Sequence, residues 1–313
     1  MKRLIWIVVS LISLGAVTWW ATRQQAPKMP TNAAGASWLA AALAAYALAL
    51  ALRGWRWHRI LVLARIPHET ADAFWLMPVA YMGNTVLPLR GGEFLRISLL
   101  ASRARARVRE VLGTVIAERI LDVATLAVIF VALTLSGVDG APTGKTVAWV
   151  AAGLVLLGAV ALVGYLMLRR RGRFASFAAR ARPYTSASKL FVHPAGIPLA
   201  GISGLIWLLE GLTVMLVGRS LGIHFGLLAA LLTNVIAALA SAIPAGPAFA
   251  GTYDSGVLLG LHAAKVNGSA ATGFLLLVRA VVFIPVTIVG LIVLVVRYGG
   301  LRRNRAATVA ADA

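Results

Sequence analysis

Long apolar stretches alternate with short basic segments along most of the chain. Six of them approach the ~20 residues that a helix needs to cross a hydrocarbon core of ~30 Å, at residues 4–21, 37–52, 111–136, 146–168, 197–218 and 271–296. The first follows Lys2 and Arg3 and could be a signal peptide, but it is longer than a usual apolar signal region, which favours a retained helix. The second is short, and we expect Arg53 and Arg56 to snorkel from its end, with Trp55 and Trp57 at the headgroup level.

Two further apolar segments are interrupted by proline and glycine. Residues 73–89 lead into Arg90-Gly91-Gly92-Glu93 and a shorter apolar arm at 94–101. Residues 227–243 lead into Pro244-Ala245-Gly246-Pro247 and a shorter arm at 255–264. Broken backbone at membrane depth is tolerated only where protein buries it or where it lines a wet cavity. We therefore predict two helical hairpins, each re-entrant in the membrane.

The distribution of basic residues predicts the orientation. If both hairpins turn back and the N-terminus is cytoplasmic, most of the 30 Lys and Arg residues lie on the cytoplasmic side, as the positive-inside rule requires. Full crossings would move the basic clusters at 90–109 and 169–189 outside. The hairpins then enter from opposite sides, which predicts a weak inverted repeat with halves at 37–168 and 197–297. A basic cytoplasmic loop, 169–192, joins the halves within one transmembrane domain, 1–313, and both termini are cytoplasmic.

Composition places the chain in lipid. It is 60% hydrophobic and 13% charged, with a mean hydropathy of +0.86, whereas soluble domains are nearer 45–50% apolar and ~25% charged. The fold class is therefore an all-α polytopic integral membrane protein. Cysteine is absent, which excludes thiolate chemistry and disulfides. The net charge of +20 resides in short runs between apolar stretches, which indicates topology rather than nucleic-acid binding.

Five ionisable residues fall inside the predicted spans, where each costs roughly 2.5–3.5 kcal/mol on insertion scales. Glu118 and Asp122 are four residues apart and share a helix face, whereas Arg119 points away from it. The set, which also includes Glu210 and Arg279, carries a net charge of −1. We expect Arg279 to pair with Glu210 or with the Glu118 and Asp122 face. The five residues are either ion pairs that fix helix packing or the lining of a polar cavity for a charged headgroup.

The segment from Asn84 to Glu93 is the densest cluster of candidate residues. Pro88 ends the long arm because it has no amide donor, and the glycines allow a close turn. Free amides after the turn could receive a phosphate, with Arg90 and Arg96 as its charge partners. The alternative is an ordinary bend from which both arginines snorkel. The histidines lack metal-ligand spacing and no nucleophile–His–acid set can be assembled, so we expect neither an enzyme nor a metal or other cofactor.

Two motifs resemble a known family. The pattern Asn-x-x-x-Pro-x-Arg-x-Gly-Glu-x-x-Arg runs from Asn84 to Arg96, and Glu-Arg-x-x-Asp follows at Glu118 to Asp122. Both are similar to the flippase-like transmembrane domain family, the lysylphosphatidylglycerol synthase transmembrane region, over residues 37–296. The second break departs from the family, with Pro244-Ala245-Gly246-Pro247 in place of a glycine run and Asp254 in place of glutamate. The resemblance implies a stand-alone form without the synthase domain, because the chain ends at Ala313.

The resemblance implies a protein that binds or translocates an amphiphilic lipid between the leaflets of a bacterial inner membrane. The lipid would be a phospholipid, a polyprenyl-phosphate carrier or a hopanoid-type lipid, and anionic membrane lipids are the expected partners. Two other classes stay open: an integral-membrane enzyme that modifies lipid headgroups, and a non-catalytic partner of lipid-synthesis enzymes. The predicted substrate-binding residues are Asn84, Pro88, Arg90, Gly92, Glu93, Arg96, Glu118, Arg119, Asp122, Glu210, Pro244, Gly246, Asp254 and Arg279.

Overall fold

The computed structural model describes residues 30–87, 90–137, 196–242 and 247–299. These residues form eight α-helices and one short 3-10 turn, Pro247–Phe249, and contain no strand. The helices are α1 (Ala33–Leu63), α2 (Thr70–Val86), α3 (Gly91–Ala104), α4 (Val108–Leu135), α5 (Gly196–Ser220), α6 (Leu227–Ser241), α7 (Thr252–Ala263) and α8 (Gly268–Val296). The predicted spans at 4–21 and 146–168, the loop at 169–192, and Pro88, Pro244 and Gly246 lie outside the described residues.

The four predicted spans that fall within the described residues are all helical. Among those residues, α1, α5 and α8 are long and apolar enough to cross a membrane, and α4 is of similar length but carries three charged residues at its centre. The outer face of α8 exposes a stripe of large aliphatic side chains, among them Ile284, Ile288, Leu291 and Val295. Such a continuous apolar surface is suited to lipid and not to water. The chain is therefore an all-α polytopic membrane protein, as predicted.

Helix α1 does not end where the hydrophobic pattern ends. It continues eleven residues past the predicted end at 52, to Leu63, and carries Arg53 and Arg56 into the protein interior. The prediction that these arginines snorkel is wrong, because carboxylates on α4 and α5 provide partners for them inside the helix bundle. Trp57 is also buried rather than placed among headgroups, and its indole N–H donates to Thr114 Oγ1 at 3.1 Å.

Helices α2 and α3 fold back on each other as a hairpin, which we call hairpin 1. The arms meet at glycines: a Cβ added to Gly92 would lie 1.8 Å from the carbonyl oxygen of Ala80, and one added to Gly83 would lie 2.5 Å from Gly92 Cα. Gly92 N–H donates to Asn84 Oδ1 at 3.0 Å across the bend. The Gly92 amide, one of those predicted to bind a phosphate, is therefore hydrogen-bonded to Asn84 instead. Arg90, whose backbone lies in the left-handed region with φ 55°, immediately precedes α3.

Helices α6 and α7 form the corresponding hairpin 2. Their arms also meet at small residues, with Gly256 against Ala237 and Gly260 against Thr233. The chain between the arms passes through the 3-10 turn, in which Ala248 adopts a φ of 52°. Both segments that were predicted to bend back therefore do so within the described residues.

The hairpins pack around two long helices, α1 and α5, which contact each other extensively. One apolar core lies where α1, hairpin 1 and the end of α8 meet, around Trp57, Leu76 and Leu100. A second lies where α5, hairpin 2 and the middle of α8 meet, around Val217 and Phe274. The polar side chains described below lie among these cores, α4 and the two hairpin bends. The inverted repeat and the side of the membrane that each end faces stay predictions.

The open end of hairpin 1 is fixed to the end of α8 by a charged cluster centred on Asp72. This buried carboxylate accepts hydrogen bonds from Arg297, at 3.1 and 3.2 Å, and from the hydroxyl of Tyr298 at 3.0 Å. Arg103, at the end of α3, lies 3.1 Å from the same carboxylate. Burial and the neighbouring Asp72 carboxylate raise the pKa of Tyr298 well above its usual range, so its hydroxyl remains a donor. We call this group the Asp72 clamp.

Candidate functional site

A cavity of about 210 Å³ lies between the bends of the two hairpins and the long helices. Each of the eight described helices contributes at least one lining residue, and aromatic and apolar side chains cover much of the wall. The charged and amide-bearing lining residues are Arg53, Asn84, Arg90, Glu93, Arg119, Asp122, Glu210 and Asn234. Concave sites with mainly apolar walls and a few converging polar groups are typical of ligand sites.

Arg53 links α1 to α4 and α5. Its guanidinium donates to Glu210 Oε1 at 2.5 and 3.2 Å, and it lies 3.6 Å from Asp122 Oδ2. The same guanidinium lies 5.1 Å from the ring centroid of Trp207, within cation–π range. The bridging arginine therefore joins α1, α4 and α5 at the cavity wall.

Arg56, one turn further along α1, lies behind this wall and is fully buried. It donates to Asp122 Oδ1 at 2.7 Å and to Ser203 Oγ at 2.6 Å, and it lies 3.4 Å from Glu118 Oε1. A charge that is fully removed from water is retained only when it is paired and hydrogen-bonded. Arg56 therefore supports Asp122, which faces the cavity, and Glu118, which lies behind it.

Arg96 extends the ion-pair network into hairpin 1. It lies 2.7 Å from Glu93 Oε2 and 3.1 Å from Glu118 Oε2, with its guanidinium 4.7 Å from the Trp57 ring centroid. It is almost fully buried, so the two predictions for this side chain, that it snorkels or that it contacts a phosphate directly, are both wrong. Its partners, Glu93 on α3 and Glu118 on α4, make Arg96 a connection between hairpin 1 and the centre of the bundle.

Arg119 is the arginine of this network that opens most to the cavity, with 36% of its side chain exposed. It lies 2.9 Å from Glu118 Oε1, 3.3 Å from Asp122 Oδ2 and 3.7 Å from Glu93 Oε1. The expectation that Arg119 points away from the Glu118 and Asp122 face is wrong at the level of the guanidinium. The long side chain bends back to reach both carboxylates, and backbone spacing does not reveal this.

The network is balanced in charge, and Arg90 adds one positive charge to it. Four arginines, at positions 53, 56, 96 and 119, face four carboxylates, at positions 93, 118, 122 and 210. Arg90 lines the same cavity but has no carboxylate within 4.0 Å among the described residues. It donates to the Ser241 carbonyl at 2.9 Å and lies 5.3 Å from the Phe249 ring centroid. Arg90 thus joins the bends of the two hairpins, and it gives the cavity and the network behind it a net charge of +1.

Arg279 forms a separate site beside the cavity. It pairs with Asp254 of α7 and donates to the Ala248 carbonyl at 3.1 Å. The expectation that it pairs with Glu210 or with the Glu118 and Asp122 face is therefore wrong, because hairpin 2 brings a nearer carboxylate. Arg279 fixes the 3-10 turn, whose Phe249 forms part of the cavity wall.

The structure brings most of the predicted site residues into one region. Asn84, Arg90, Glu93, Arg119, Asp122 and Glu210 line the cavity. Gly92, Arg96 and Glu118 lie behind them, and Asp254 and Arg279 lie beside the cavity. Sequence reasoning missed Arg53 and Arg56, although their spacing of three residues places them on one face of any helix that continues. It also missed Tyr46, Tyr81, Trp207, Asn234 and Tyr253, which also line the cavity.

The histidines within the described residues do not line the cavity. His58 Nδ1 and His68 Nε2 are 2.8 Å apart near the junction of α1 and α2, and His262 contacts Asn267 on the exposed surface. In the part of the chain that the structure describes, no group of three or more metal-binding side chains is found.

The fold defines a class of protein: an integral membrane protein in which a cavity lies between the bends of two helical hairpins, beside a buried ion-pair network. The model of the lysylphosphatidylglycerol synthase TM region matches residues 5–290, so the chain belongs to this family. It is also similar to the UPF0104 membrane protein MJ1078 of Methanocaldococcus jannaschii, with 24% identity over 217 residues, 67% of this chain and 91% of that protein. No solved structure matches the chain.

Proposed function

We propose that the protein binds the headgroup of an anionic membrane lipid in its cavity and allows that lipid to exchange between leaflets. The observation that carries the proposal is that Arg90 lines the cavity without a carboxylate within 4.0 Å among the described residues, so that the cavity and the ion-pair network behind it hold one more arginine than carboxylate. Membership of the lysylphosphatidylglycerol synthase TM region family supports a role in membrane-lipid chemistry. The membrane is that of a bacterial cell, with both termini in the cytoplasm.

The charge balance explains how a polar path can exist in lipid. An isolated charge in hydrocarbon is costly, but the paired arginines and carboxylates here neutralise one another. A headgroup with a single negative charge would neutralise Arg90 in the same way. Arg119, which is partly exposed to the cavity, is the second cation within reach of such a group.

The size of the cavity supports partial entry of a lipid. At about 210 Å³ it is smaller than the ~300–1,000 Å³ of pockets that enclose drug-sized ligands. It suits a headgroup, and the acyl chains would remain in the surrounding bilayer. The Arg90 contacts to Ser241 and Phe249 join the hairpin bends, and we propose that a headgroup passes between the hairpins when this contact opens. The role is non-enzymatic and needs no cofactor.

The test is leaflet exchange in proteoliposomes that contain a trace of headgroup-labelled phosphatidylglycerol. A membrane-impermeant reductant bleaches the outer-leaflet label alone unless the protein exchanges it. We expect the purified protein to expose most of the label, and Arg90→Gln to slow exchange about ten-fold or more, because a hydrogen bond to a charged group contributes about 1.5–3 kcal/mol. Arg90→Lys, which keeps the charge, should retain part of the rate.

The matched control is Arg109→Gln, which makes the same chemical change at an exposed position in the first turn of α4. It should exchange lipid at the rate of the unmodified protein. Equal rates for the Arg90→Gln and Arg109→Gln proteins would refute the headgroup role of the cavity. Chemical conversion of the labelled lipid without exchange would favour the lipid-modifying enzyme.

A further inference from the structure

Three neutral side chains that line the cavity each have a hydrogen-bond donor without a partner among the described residues. The donors are the hydroxyl of Tyr46 on α1, the indole N–H of Trp207 on α5 and the amide nitrogen of Asn234 on α6. Each donor atom is buried, and the Tyr46 and Trp207 side chains are more than nine-tenths buried. All three residues line the same cavity.

Buried donors without acceptors are rare because each forfeits its hydrogen bonds to water. Here three such groups, from three different helices, belong to residues that line the same cavity. The indole N–H can only donate, so its complement is an acceptor. Several acceptor oxygens would be needed to satisfy all three donors.

The neighbouring charges narrow the type of acceptor. The Trp207 ring lies under the guanidinium of Arg53, and Arg90 and Arg119 line the same cavity. Acceptor oxygens that also carry negative charge fit both the orphan donors and the cationic excess. A phosphate ester has both properties, whereas a hydroxyl of a hopanoid-type lipid offers a single neutral acceptor.

We infer that Tyr46, Trp207 and Asn234 form a neutral donor subsite that binds the oxygens of a phosphate ester headgroup beside the arginines. The inference rests on the proposed function and narrows its substrate class to phosphate-containing lipids. Arg90 would supply the charge and the donor subsite the directional hydrogen bonds. The same chemistry could be offered by a soluble phosphate ester, so the experiment includes one.

The test measures ligand binding to the purified protein in detergent by native mass spectrometry. The probes are phosphatidylglycerol, diacylglycerol and glycerol 3-phosphate. We expect Tyr46→Phe and Asn234→Leu each to weaken phosphatidylglycerol binding about 3- to 10-fold, the equivalent of one lost hydrogen bond. Neither should lower the thermal midpoint measured by circular dichroism, because the removed groups have no hydrogen-bond partner among the described residues.

Tyr298→Phe is the matched control, since its hydroxyl lies in the Asp72 clamp, away from the cavity. It should lower the thermal midpoint and leave lipid binding unchanged, the opposite pattern to Tyr46→Phe. Donor-dependent binding of glycerol 3-phosphate would support a soluble ester as the ligand, and donor-dependent binding of phosphatidylglycerol alone would support a lipid. Wild-type affinity in both cavity variants, or equal binding of diacylglycerol, would overturn the inference.

The two proposals fail in different ways. If Arg90→Gln abolishes leaflet exchange while Tyr46→Phe binds phosphatidylglycerol normally, the donor subsite is wrong and the proposed function stands. If binding depends on Tyr46 but proteoliposomes show no exchange, the subsite stands and translocation is wrong.

Discussion

Replacing Arg56 by methionine tests whether the buried ion-pair network holds the long helices together. Arg56 is fully buried, and its guanidinium lies 2.7 Å from Asp122 and 3.4 Å from Glu118. Methionine retains most of the unbranched stem, so packing changes little and the loss is mainly one of charge.

The expected magnitude follows from these distances. At an effective dielectric constant of about 20, each pair gains roughly 5–6 kcal/mol of Coulomb energy, and removal of both partners from water offsets most of it. Removal of one partner leaves a buried carboxylate uncompensated, which typically costs about 3–5 kcal/mol. We expect a loss in this range for Arg56→Met, moderated because Asp122 also contacts Arg53 and Arg119.

The assay is equilibrium unfolding in mixed detergent micelles, followed by circular dichroism. Arg59→Met is the matched control, because Arg59 lies on the same helix but is exposed; it should change the free energy of unfolding by less than about 0.5 kcal/mol. Addition of Asp122→Asn to the Arg56→Met protein removes the excess carboxylate, so that three arginines again face three carboxylates, and should recover at least about 1 kcal/mol. A loss below about 1 kcal/mol for Arg56→Met, or no recovery in the double variant, would refute the reasoning.

Two further predictions concern the hairpins. Gly92→Ala places a Cβ 1.8 Å from the Ala80 carbonyl oxygen and should destabilise the fold by about 1–3 kcal/mol or more. The control Gly204→Ala, whose Cβ meets open space, should be neutral or stabilise the fold by up to about 1 kcal/mol. Similar unfolding curves for the two variants would contradict this. Asp72→Asn weakens the hydrogen bonds to Arg297 and should speed amide hydrogen exchange in the last turn of α8 but not in α5; unchanged exchange there would contradict the clamp.

Hydrophobic pattern predicted the helices well because it depends only on local sequence. Each of the four spans within the described residues is a helix, and both Pro/Gly breaks mark a hairpin bend. The end of α1 was wrong for a specific reason. A charged residue after an apolar run indicates the edge of the membrane only if nothing inside the protein can neutralise it, and Glu210 and Asp122 do neutralise Arg53.

Sequence reasoning identified many of the charged residues of the candidate site, but it did not identify which of them pair with each other. Intramembrane charge is rare enough to identify Glu118, Arg119 and Glu210 from the sequence alone. The choice of partners depends on which helices become neighbours, and local spacing carries no information about that. Arg279 shows the difference: its partner is Asp254, which hairpin 2 places beside it. Tyr46 and Asn234 could not have been found, because an unsatisfied donor is a property of three-dimensional surroundings.

The contact between Gly92 and Ala80 has a mechanical consequence. The backbones of the two arms of hairpin 1 touch at this point, so the arms cannot slide or separate without losing the contact. Helices α2 and α3 therefore move as one unit. The Asp72 clamp ties the open end of hairpin 1 to the end of α8, and Gly290 of α8 packs against the backbone of Pro78 in the middle of α2. A movement of hairpin 1 would therefore displace α8 and Arg90 together.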